Sequence, residues 1–136
     1  AIAIPAYQDY TIKSRISEGA SLSGAFKTAI EVYWSETGTL AGFTDNDVNN
    51  ALIGTTAVSG EYVSSILIQT EGTPARPQLE ITLRSGTNKI GNEDGKCFRY
   101  VPAPTAGIGS NLRWTVENTA PICAAGGVND KYKPKT

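Results

Sequence analysis

The chain has 136 residues, 40% of them hydrophobic and 18% charged, with 12 Lys+Arg against 13 Asp+Glu for a net charge of −1. This suffices for one domain with one core, and it removes disorder, a free-standing membrane protein and any electrostatic case for general nucleic-acid binding. The absence of His excludes Ser-His-Asp and Cys-His catalytic sets and any His-ligated metal, and the absence of Met leads to the expectation that the chain begins inside a longer one.

Residues 1–37 read as helix. Ile12, Ile16, Ala20, Phe26, Ile30 and Tyr33 recur mostly at spacings of three or four, an apolar stripe along one face. Lys13, Arg15, Glu18, Lys27 and Glu31 largely fill the other side, and Asp9 with Lys13 is spaced for an i,i+4 pair. Gly38 is a natural stop, because Gly accepts the left-handed C-cap conformation. A straight helix of this length spans about 55 Å, whereas such a domain has a radius of gyration of about 14 Å. The helix is therefore expected to project from the domain or to pack into something else.

The start of that helix differs from the rest. Ala1, Ile2, Ala3, Ile4, Ala6, Tyr7 and Tyr10 are apolar or aromatic around nearly the whole circumference, and Asp9 is the first charge. A helix apolar all round is normally buried on all sides. Two readings stand: an ordinary helix start buried in the domain, or the end of a longer apolar segment with Tyr7 and Tyr10 near a membrane–water boundary. Pro5 kinks a helix interior but is harmless at a true helix start.

Residues 38–60 form a connector rich in Gly, Thr, Asn and Asp. Thr44 as N-cap with Asp47 three residues on predicts a short helix over Asp45–Leu52, stopped at Gly54. Asp45, Asp47 and Asn49 imitate the first ligands of a calcium loop, but Asn50 stands where Gly is needed and Thr56 where the bidentate Glu belongs, so no metal is assigned. Strands are predicted over Tyr62–Gln69, Gln78–Arg84, Cys97–Val101 and Leu112–Glu117. Leu79, Ile81 and Leu83 point inward against Glu80, Thr82 and Arg84, and Leu112, Trp114 and Val116 share a face. One apolar face per strand predicts an α+β fold, the N-terminal helix laid on a four-stranded antiparallel sheet within 61–117.

Cys97 and Cys123 are 26 positions apart, which does not suit a C-x-x-C motif. They are either one disulfide in an exported domain or two buried thiols, and composition favours the disulfide. The carboxylates are scattered, and Gly107-Ile108-Gly109 lacks the later Gly and the helix of a phosphate loop. Lys131, Lys133 and Lys135 read as a solvated basic tail, with a weak anionic contact as the sharper alternative. No enzymatic activity and no cofactor are predicted.

The run Ala1-Ile2-Ala3-Ile4-Pro5-Ala6-Tyr7-Gln8-Asp9-Tyr10, followed by Lys13-Ser14-Arg15, resembles the second half of the N-terminal helix of the type IVa pilins of Gram-negative bacteria. The order of helix, connector, four strands and a late cysteine pair is similar to theirs across the whole chain, as a single domain over 1–136. The resemblance implies a major structural subunit of a type IV pilus, truncated at its start. Its partners would be identical copies in a helical filament, a prepilin peptidase and the pilus assembly machinery, and a host receptor or surface. The full-length protein would be methylated at its N-terminus, reside in the inner membrane, and then reach the cell surface.

By the same resemblance Ala1, Ile2, Ile4, Pro5, Tyr7 and Tyr10 belong to the filament-core helix, exposed in this chain and buried in the filament. Cys97 and Cys123 match the pair that closes the family's surface loop, over 97–123, with a tail at 124–136. Pro102, Pro104, Gly107 and Gly109 become candidate surface or receptor-loop residues, although this loop is longer than those of pilins that bind glycans. Surface adhesion, twitching motility and DNA uptake are the roles this implies. The alternative is a pseudopilin of a type II secretion system. Pseudopilins commonly lack this disulfide and often carry a calcium site, so the cysteine pair and the failed calcium loop favour a true pilin.

Overall fold

The fold comes from a computed structural model, which describes residues 3–40, 59–71, 76–86, 90–104, 112–119, 123 and 125–134. The expected short helix at Asp45–Leu52 lies outside them. Helix α1 covers Ala3–Leu22 and α2 covers Gly24–Thr37, closed by Gly38 at φ 71° with its N–H on the Trp34 carbonyl. The single predicted helix is thus divided at Ser23. Hydrogen bonds still run from Ser23 N–H to Gly19 O and from Lys27 N–H to Ser23 O, while Ser23 Oγ turns back to donate to Ala20 O at 2.8 Å. A Ser–Gly pair is a recognised place for such an irregularity, because the hydroxyl competes for a backbone carbonyl and Gly adds freedom.

Strands β1 (Val63–Glu71), β2 (Arg76–Leu83), β3 (Cys97–Pro104) and β4 (Leu112–Glu117) form one antiparallel sheet in chain order. The chain has the predicted α+β architecture. Leu79, Ile81, Leu83, Phe98 and Tyr100 are buried on the sheet's inner face against Ile16, Phe26 and Ile30 of the helices. The alternation in β1 is interrupted by a bulge between Val63 and Ser65. The extra residue, Ser64, lets Val63 opposite Leu83 and Ile66 opposite Ile81 both face inward although they are three positions apart. The helix lies close on the sheet at Gly19, where a Cβ would sit 2.8 Å from Ile81 Cγ2 and 3.1 Å from Phe98 Cζ.

Two predictions about this sheet need correction. Glu80 points outward but is buried, because Arg99 of β3 closes over it with Nε at 3.0 Å and Nη2 at 2.8 Å from Glu80 Oε2. Pro102 and Pro104, expected in a surface loop, are part of β3. Pro102 has the parity of Phe98 and Tyr100, faces inward opposite Trp114, and is buried. Among the described residues the pairing of β3 with β2 ends at Leu79 opposite Tyr100, so both prolines lie beyond it and a missing N–H breaks no ladder pair with β2.

Candidate functional site

Three groups of residues carry the functional reading: the start of α1, the cysteine pair, and the C-terminal segment. Ala1 and Ile2 lie outside the described residues, and Ile4 and Pro5 have helical backbone. Tyr7 and Tyr10 are 72% and 74% exposed, the most exposed large hydrophobic side chains among the described residues. Both line a groove of about 410 Å³ along α1, bounded by Ser14, Ser17 and Ser21 on the helix and by Glu61 and Tyr62 just before β1. Glu18 fastens that far wall: its two carboxylate oxygens accept from the N–H of Glu61 and of Tyr62, each at 2.8 Å. Arg15 stacks over the Tyr62 ring at 5.1 Å.

Toward α2 the contact between helix and sheet is polar as well as apolar. Lys27 Nζ lies 3.4 Å from the centre of the Tyr100 ring, and Trp114 Nε1–H donates to Glu31 Oε1 at 2.9 Å. Burial pushes the Lys27 ammonium down, with nearby Glu31 opposing. Burial pushes the Tyr100 hydroxyl up to about 12 despite its hydrogen bond with Ser23.

Cys97 and Cys123 are bonded, with Cα atoms 6.2 Å apart. Beyond Cys123 the chain does not leave the domain as a solvated tail. Cys97 N–H donates to Gly126 O, Val128 N–H donates to Cys97 O, and Gly127 bridges Cys97 in parallel. Gly127 is packed against the Asn118 backbone so tightly that no Cβ fits. Val128 and Tyr132 are buried, so the segment that carries Lys131 and Lys133 is docked on the domain and is not the solvated tail expected for Lys131, Lys133 and Lys135, the last of which lies outside the described residues.

Asn129 N–H donates to the buried Glu93 carboxylate at 3.1 Å, and the Asn129 side chain caps a 3-10 turn over Asp130–Tyr132. That turn reaches α1. Tyr132 Oη donates to Asp9 Oδ1 at 2.6 Å, and Lys131 Nζ lies 3.4 Å from the same oxygen. The Tyr132 hydrogen bond, aided by Lys131, holds the Asp9 carboxyl below its ordinary range. Asp9 therefore pairs with Lys131, and the expected partner Lys13 is not used.

Gly107 and Gly109 lie outside the described residues, as do Asp45, Asp47 and Asn49. Among the described residues no three His, Cys, Asp or Glu side chains gather as a metal cluster, and no helix is long and apolar enough to cross a membrane.

Residues 12–136 match the sequence profile of the pilins, bacterial filament proteins. The chain belongs to the pilin family. This is a family of structural subunits rather than enzymes, and the relatives place the chain among type IV pilins. The chain is 40% identical over 74 residues to fimbrial protein EcpC of Eikenella corrodens, which covers 54% of the chain and 44% of that protein. It is 32% identical over 69 residues to a fimbrial protein of Neisseria meningitidis, covering 51% of the chain and 39% of the relative. It is 28% identical over 69 residues to the type IV major pilin protein PilE of Neisseria gonorrhoeae, covering 51% and 40%. The match thus spans less than half the length of these curated relatives. No solved structure matches the pilin chain significantly.

The Asp9–Tyr132 link and the Glu18 anchor have no local signature in the pilin sequence. The one available hint was an aromatic residue, Tyr132, set among the lysines of an otherwise polar terminus.

Proposed function

We propose that the chain is the structural subunit of a retractile type IV pilus, polymerising through its N-terminal helix into a filament on the cell surface. The observation that carries this is the pair Tyr7 and Tyr10, exposed beside the Ala-Ile-Ala-Ile-Pro run on a helix whose other face already serves the domain core. Large aromatic side chains left in water on one face favour coverage by a partner. Identical subunits are that partner, so Ala1, Ile2, Ile4, Pro5, Tyr7 and Tyr10 become buried in the filament.

The full-length protein is processed and methylated by a prepilin peptidase and held in the inner membrane before the assembly machinery takes it. Cytoplasmic ATPases supply the force for twitching motility, and adhesion to a host receptor or surface and DNA uptake follow from the same filament. The loop closed by Cys97–Cys123, with Gly107 and Gly109, is the segment for receptor contact. Pro102, being buried, has no part in it. The alternative of a type II secretion pseudopilin is not favoured, since the relatives are named as fimbrial and pilin proteins.

Electron microscopy of cells with the full-length gene deleted tests the reading. Loss of pili and of twitching is expected. Intact pili in the deletion strain would refute it as the major subunit.

A further inference from the structure

Residues 126–133 form a strap that runs from the disulfide to the start of α1. It is tied to Cys97 by two backbone hydrogen bonds. Asn118 Nδ2 holds it by donating to Val128 O at 2.6 Å and to Asp130 Oδ1 at 2.7 Å, and Glu93 accepts from Asn129 N–H. Gly127 leaves it no freedom to shift toward Asn118, and Val128 and Tyr132 are buried. A strap fixed at so many points is a rigid platform, and its far end is the Tyr132 hydroxyl on Asp9.

Asp9 is in line with Ile12 and Ile16 along the helix, so it continues the domain-facing stripe one step past the apolar core. Among the described residues, Asp9 is the one side chain before Thr11 hydrogen-bonded to the rest of the domain. Tyr7, Gln8 and Tyr10 around it are exposed. The direction of the first turns of α1 therefore depends on this contact.

We propose that Asp9 and Tyr132 are positioning residues for filament assembly. Through them the C-terminal strap sets the direction in which the start of α1 leaves the domain, and with it the face that Tyr7 and Tyr10 present to a neighbouring subunit. The inference rests on the reading of α1 as the assembly helix.

The test uses Tyr132→Phe, Asp9→Ala and their combination in the full-length protein. Hydrogen exchange reads the strap, and filament counts with helical parameters from electron microscopy read assembly. Removing one partner of a charge-assisted hydrogen bond should speed exchange of the amides of residues 7–15 by about tenfold. The double variant should be no faster than either single, and β2 and β3 should keep their protection. Tyr132→Phe should also give fewer pili, or pili with an altered helical repeat, at unchanged subunit abundance. Unchanged exchange at the start of α1 overturns the strap. Faster exchange with normal pili overturns the positioning role. Absence of filaments from cells making the wild-type protein overturns the assembly reading and the positioning role with it, while the exchange result still stands by itself.

Discussion

The Glu80–Arg99 pair offers the sharpest test of how the sheet's outer face is organised. Each residue is 7% exposed, and Arg99 Nε and Nη2 both donate to Glu80 Oε2. Arg99→Met removes the guanidinium and strands the buried Glu80 carboxylate, whose hydrogen bonds come from Arg99. Stranding a buried charge costs about 3–5 kcal/mol. In a domain of this size that lowers Tm by roughly 10–20 °C. Replacing both residues, Glu80→Leu with Arg99→Met, removes the stranded charge and should return stability to within about 1 kcal/mol of wild type or above it. Urea denaturation of the oxidised chain, followed by circular dichroism, measures all three proteins. A loss below about 1 kcal/mol in the single variant would place the pair among solvent-screened surface ion pairs and refute the reasoning. An equal loss in the double variant would refute it differently, by showing that packing of the long side chains, not the stranded charge, carries the cost.

Replacing Cys97 and Cys123 with Ser should lower stability by about 3.5 kcal/mol on loop entropy; urea midpoints equal to those of the oxidised wild type would contradict this. Gly19→Ala should destabilise by about 1 kcal/mol, because overpacking against Ile81 and Phe98 exceeds the gain in helix propensity; a stabilised variant would show that the helix lies farther from the sheet. The Asp9 contact should depend on acid. Its carboxyl is depressed in the folded state, so the contribution is full above the ordinary Asp value of about 3.9 and is lost as pH falls through the lower folded value. Protection factors for residues 7–15, corrected for intrinsic exchange, should fall in that acid window while those of β3 hold, and a flat profile down to pH 2 would count against the clasp.

Much of this fold is legible where one period governs a run of residues. Leu79, Ile81 and Leu83 alternate against polar neighbours, and their inward direction follows from the pleat alone. Ile12, Ile16, Phe26 and Ile30 keep a helical spacing, and the core face follows from that. The departures occur where one residue overrides the period. Ser64 inserts a bulge that brings Val63 into the core, and Ser23 competes for the Ala20 carbonyl at the helix junction. Pro102 reads as a loop residue by composition, yet its place beyond the last β2 pair of β3 admits it into the strand. Glu80 reads as solvent-facing by alternation, yet the register puts Arg99 directly opposite, and register between strands far apart in the chain has no local signal.

The same limit explains why the candidate site was only half legible, and it also shows what the scattered carboxylates do. Asp9, Glu18 and Glu31 form no catalytic pair. Each reaches from the helix to a different part of the domain: Asp9 to Tyr132 of the strap, Glu18 to the amides that open β1, and Glu31 to Trp114 of the edge strand β4. The partners lie 123, 44 and 83 positions away respectively, far beyond any helical or strand period. The apolar stripe can hold a helix against a sheet, but apolar contact is non-directional and leaves the helix free to slide or rotate. Hydrogen bonds at three separated points remove those freedoms, because each has its own distance and angle. Under the proposed assembly through α1, where the helix meets identical neighbours in one geometry, that registration matters more than additional burial. Loss of any one carboxylate should therefore disturb the direction of the helix before it disturbs the core.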